Sequence, residues 1–158
     1  MKIPSMTVAL MFALVIIIIA GCITPGSSSV KADVYPSLSQ QFSLKMNQSA
    51  YLPQERLLVR FLGVNWDSRC PAGVQCIWAG NVNISLELRE GTDANSAGAL
   101  SDISMVMDAG GEPTVKVANS FGNESYSIKL LAVNPYPQMN QTKDERDYSI
   151  TLVVTKNP

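Results

Sequence analysis

From Gln41 onward the apolar positions recur every second residue. Phe42, Leu44 and Met46 alternate with polar neighbours, and Val82, Ile84, Leu86 and Leu88 alternate strictly against Asn81, Asn83, Ser85 and Glu87. Leu57, Val59 and Phe61 share one face of a segment whose other face carries Leu58, Leu62 and Val64. Ile103, Met105 and Met107 repeat the pattern, then Val115 and Val117, then Tyr126, Ile128 and Leu130. Tyr148, Ile150, Leu152 and Val154 close the chain. A period of two puts one face of a strand in a core and the other in water.

Turn-forming residues separate these runs: Asn47 to Pro53, Gly91 to Gly98, Gly110 to Pro113, Gly122-Asn123 and Asn134 to Pro137. No segment of this region sustains a helical period for three turns, and no internal repeat is visible. Seven or so short strands broken in this way predict an all-β fold, an antiparallel β-sandwich of immunoglobulin-like outline. A small β-barrel is the alternative.

The other strong pattern lies at the start. An unbroken apolar run, Val8 to Ala20, follows the single cation Lys2 and leads into Ile19-Ala20-Gly21-Cys22. A basic start, an apolar stretch and small residues before a cysteine are the pattern of an export signal ending in a lipobox, with Cys22 the lipidated residue. An uncleaved transmembrane anchor is the alternative, since a bilayer takes about 20 apolar residues. Both place the domain at the membrane on its extracytoplasmic face. Residues 1–22 are therefore read as a lipoprotein signal or anchor. Residues 23–40, rich in Ser, Pro and Gly, are read as a flexible tether, and 41–158 as the folded domain.

Charge and composition then narrow the function. The chain has 12 basic and 13 acidic residues, one of the former being Lys2, so the exported part is slightly acidic and offers nothing to nucleic acid. It contains no histidine, which removes Ser-His-Asp and Cys-His activation and the usual zinc and copper ligand sets. No catalytic constellation, cofactor or metal site is expected.

One segment stands apart: Asp67-Ser68-Arg69-Cys70-Pro71, then Cys76-Ile77-Trp78-Ala79-Gly80. With Cys22 lipidated, Cys70 and Cys76 are the only thiols left in an oxidising compartment, and a disulfide is the default. A redox-active pair is the alternative, but such pairs sit at helix starts with closer spacing. Trp78 is expected to pack on the bridge and cap one end of the core, an exposed stacking role being the alternative. Asp67 and Arg69 are expected to pair, Asp67 bonding backbone amides of the loop being the alternative. With Trp78 they form the candidate binding residues.

These motifs resemble the signature of a family of small exported bacterial and archaeal lipoproteins, and Tyr126 to Leu130 and the closing strand are also similar to that family. The resemblance implies a secreted all-β domain with Cys70 bridged to Cys76, and no catalytic residue.

Four Asn-x-Ser/Thr triplets, at Asn47, Asn83, Asn123 and Asn140, are candidate glycan acceptors in an exported chain. The alternation turns Asn83 outward, and the other three fall in predicted turns. Met105 and Met107, with Met46 and Met139, could suggest copper(I) binding by thioethers, but Met105 and Met107 share the face of Ile103 and core filling is expected. The function expected is that of a membrane-anchored, non-catalytic envelope lipoprotein with a protein or glycan partner. A protease-inhibitor-like domain and a thiol/disulfide redox protein are the alternatives.

Overall fold

A computed structural model describes residues 31–91, 98–108, 111–118, 125–140 and 144–158. The expected lipobox with Cys22, the sequon asparagine Asn123 and residues 92–97 and 119–124, which include most of two predicted turns, lie outside these. Eight strands form: β1 (Gln41–Lys45), β2 (Ser49–Leu52), β3 (Leu57–Asp67), β4 (Asn81–Glu90), β5 (Gly98–Asp108), β6 (Thr114–Ala118), β7 (Ser125–Asn134) and β8 (Ser149–Lys156). They make two four-stranded antiparallel sheets, ordered β1-β8-β7-β6 and β2-β3-β4-β5, and the sheets do not close into a barrel. The sandwich is thus built from two runs of consecutive strands, with β1 added beside β8.

Alternation explains the core. Val82, Ile84, Leu86 and Leu88 of β4 and Ile150, Leu152 and Val154 of β8 are all fully buried, and they meet Phe42, Leu44, Val59, Phe61, Ile128 and Leu130 between the sheets. Met105 is buried and Met107 and Met46 pack against this core, as their shared face predicts. At about 1.5–3 kcal/mol for each large apolar side chain, the four from β4 alone contribute roughly 6–12 kcal/mol.

Where the period of two breaks, the ladder carries an irregularity. In β3, Phe61 pairs with Leu86 but Gly63 with Ser85, so Leu62 is an extra residue. One inserted residue reverses the alternation. Val64, expected opposite Phe61, therefore returns to the core side and packs against it. A similar shift between Leu130 and Ala132 in β7 brings Val133 inward.

Two expectations need correction. The stretch Asn47 to Pro53 is not all turn, because β2 occupies Ser49–Leu52, buried throughout. Nor is 23–40 wholly a tether. The amides of Asp33 and Val34 donate to the Ser49 carbonyl and the Tyr51 amide donates to that of Val34, so this stretch runs parallel beside β2. The Asp33 carboxylate accepts from the Ser49 amide at 2.8 Å. Ala32 is buried with Tyr51 and Leu58. The second apolar face of β3, with Leu58 on it, is what this segment covers, and the covering also satisfies part of an otherwise open sheet edge.

Candidate functional site

Asp67 ends β3 and Asn81 begins β4, and the chain between them projects from one end of the sandwich. Its base is a short ladder: Ser68 donates its amide to the Asn81 carbonyl at 2.8 Å, and Cys70 to that of Ala79 at 2.9 Å. Cys70 and Cys76 are bonded, with Cα atoms 5.9 Å apart. The loop leans on the other sheet's connection, where the Ala72 amide donates to the Pro137 carbonyl at 2.9 Å.

Beneath the loop lies a clamp between the two sheets. Arg69 bonds Asp67 through Nε to Oδ1 and Nη2 to Oδ2, both at 2.8 Å. Its Nη1 donates to the Val133 carbonyl at 2.7 Å and Nη2 to that of Pro135 at 3.1 Å, and the guanidinium lies 4.8 Å from the centre of the Tyr136 ring. Tyr148 O–H donates to Asp67 Oδ2 at 2.9 Å. Asp67 belongs to one sheet, Val133 lies in β7 of the other and Tyr148 immediately precedes β8, so the pair ties the two sheets at this end. Only 5–6% of either side chain reaches solvent. A carboxylate and a guanidinium so deeply placed are held by their mutual charge and these hydrogen bonds, since an isolated buried charge is costly.

The same clamp acts on Tyr148. Burial disfavours the phenolate, and donation to the Asp67 carboxylate and its negative charge add to this, pushing the phenol up to about 12 from its ordinary 10.0. A folded-state pKa above the unfolded value means stability is fully present below pH 10 and is lost as pH rises toward 12. Melting temperature measured from pH 9 to 12 should fall across this window, and Tyr148→Phe should flatten the fall.

Sequence reasoning paired Asp67 with Arg69, and the structure does the same while turning both inward to protein partners. Trp78 is corrected. It does not cap the core: it is 81% exposed, beside Ile77 at 92%. The Ala79 carbonyl accepts from the Cys70 amide at the ladder and the bridge closes the ring, and Ile77 and Trp78 stand in solvent beyond them. Val74, Tyr136 and Met139 are exposed as well. The sequence reading did not join Tyr136 and Met139 to this segment, because they arrive from the β7–β8 connection, more than fifty residues away. Trp66 also escaped it. Half-exposed on the outer face of β3, it donates Nε1–H to Asn81 Oδ1 at 3.0 Å.

Of the sequons, Asn47 and Asn140 are exposed, in turns. Asn83 is corrected: it faces away from the core as predicted, yet is only 2% exposed. Neighbouring strands enclose it. Asn65 Nδ2 donates to its carbonyl oxygen and its own Nδ2 donates to Ser104 Oγ at 2.8 Å, which leaves the amide no room for a glycan.

Two hollows among the described residues are small. One of about 220 Å³ borders Arg69, Asn134 and Tyr136, and another of about 240 Å³ borders Lys31, Asp33 and Arg60. Both fall below the roughly 300–1,000 Å³ of ordinary ligand pockets.

The bridge itself is a local device. Closing so short a ring is worth roughly 2–2.5 kcal/mol by chain entropy, well under the contribution of β4. The double substitution Cys70→Ser/Cys76→Ser should therefore lower unfolding free energy in urea by about 2 kcal/mol and leave a folded sandwich. No family model, curated protein or solved structure matches the chain.

Proposed function

We propose that this chain is an exported, membrane-tethered lipoprotein, lipidated at Cys22, which acts without catalysis as a contact module of the cell envelope. The contact surface is the disulfide-braced apex. The observation that carries the reading is the pair Ile77 and Trp78, both over 80% exposed on a loop whose base is fastened by a ladder, a bridge and the Asp67–Arg69 clamp. Side chains that large are left in water at the end of a rigid support when they meet something else. Export, tether and the missing histidine chemistry agree with it.

Two measurements test this. Cys22→Ala should release the chain from lipid modification, and full retention with membranes would instead mean a transmembrane anchor. Trp78→Ala should change stability by no more than about 0.5 kcal/mol, as exposed positions do. A loss of several kcal/mol would make the tryptophan a folding element and remove the contact reading.

The second reading is a protease inhibitor that presents the same loop as a wedge. The braced base favours it, because a rigid loop resists entering a cleavable geometry. Absence of inhibition across a panel of extracellular proteases at micromolar protein would eliminate it. The redox reading is weaker, since neither Cys70 nor Cys76 adjoins a helix start that would lower a thiol pKa.

A further inference from the structure

We infer that the apex formed by Val74, Ile77, Trp78, Tyr136 and Met139 docks into the headgroup region of the same bilayer that holds Cys22. This deepens the contact-module reading and rests on it.

The leash is the first support. Docking of 31–36 beside β2 leaves eight residues, Ile23 to Val30, between the lipidated cysteine and the first docked segment. Fully extended, that is a reach of about 30 Å. A sandwich whose longest strands have 11 residues measures roughly 36 Å along them, so it stays close to the membrane surface.

The direction of the leash is the second. β3 runs toward the apex, β2 runs away from it, and the segment through Val34 is parallel to β2. Lys31 therefore points back toward the apex. Ser49 pairs with Arg60, seven residues before Asp67, which places the docked segment about 23 Å from the apex end. The segment enters from the apex side and the leash is long enough to cover that distance, which lets the apex meet the membrane that holds the anchor.

The chemistry of the apex is the third. No charged residue occurs from Cys70 to Gly80 or from Pro135 to Met139. Asp67 and Arg69, just beneath, neutralise each other. A protein partner of either charge finds nothing complementary there, whereas tryptophan and tyrosine with apolar neighbours suit the boundary between headgroups and acyl chains. The polar backbone of an irregular loop keeps the insertion shallow, because the hydrocarbon interior cannot satisfy it.

The full lipidated chain, reconstituted into phosphatidylcholine vesicles carrying lipids brominated near the headgroup, provides the test. The chain has two tryptophans. In Trp66→Phe the remaining Trp78 should be quenched at least about twofold more than Trp66 is in Trp78→Phe, as expected of an interfacial indole. The unsubstituted chain, which needs no altered residue, should give an intermediate quench. Flotation with vesicles but no quenching of Trp78, with iodide reaching it freely, would overturn the inference, leave the lipid anchor intact and turn attention to a protein or glycan partner. Failure to float would show the anchor itself to be wrong and overturn the inference with it.

Discussion

Gly80→Ala should be the most damaging conservative change in the domain, costing upward of about 4 kcal/mol, the level at which a single substitution becomes diagnostic. Gly80 has φ of +70°, and a Cβ there would sit 1.9 Å from the Ser68 carbonyl oxygen and 2.6 Å from its carbon. Those atoms are backbone, in the ladder that fastens the apex, and cannot give way without breaking the Ser68–Asn81 pairing. Gly73 supplies the control. Its φ is +78°, but nothing lies within 4 Å of a Cβ built on it, so Gly73→Ala meets conformational strain alone, about 1–2 kcal/mol. Urea unfolding of the two variants separates close approach from strain, and equal losses would show that the contact at Gly80 is relieved cheaply.

Arg69→Ala should cost about 3–5 kcal/mol, the usual result of removing one partner from a buried ion pair. It strands the Asp67 carboxylate, two main-chain carbonyls from Val133 and Pro135 lose a donor, and the Tyr136 ring loses its cation. For a domain whose whole stability is of the order of 5–15 kcal/mol, that is a large fraction. The double variant Asp67→Ala/Arg69→Ala should be less damaging than the sum of the two single changes, because no lone charge is left behind. Additive losses in a double-mutant cycle would mean that the two side chains act independently and that no clamp exists. The alkaline loss of stability assigned to Tyr148 should also shrink in Asp67→Ala, since the carboxylate that opposes the phenolate is gone.

The candidate site was partly legible in the residues. Asp67 and Arg69 two positions apart announced a pair, and Cys70 with Cys76 announced a bridge. Their burial was not legible, because the enclosing groups come from Val133, Pro135 and Tyr148, and nothing local marks a carbonyl as a guanidinium acceptor. Trp78 misled for the opposite reason. A tryptophan next to a disulfide is expected inside, yet the loop that carries it leaves it 81% exposed. Asn83 obeyed its alternation and was still buried, since exposure on an outer face depends on what the neighbouring strands carry there: Asn65 and Ser104.

The pattern of apolar positions by itself determined an all-β sandwich and most of its core, because strand geometry converts a period of two directly into an inside and an outside. The two cysteines marked the bridge in the same local way. Tertiary structure decided the rest: the extra residue at Leu62 that returns Val64 to the core, the docking of 31–36 that shortens the leash, and the exposure of Ile77 and Trp78. Each of these depends on which distant segment arrives alongside, and packing partners far apart in the chain leave no periodic trace.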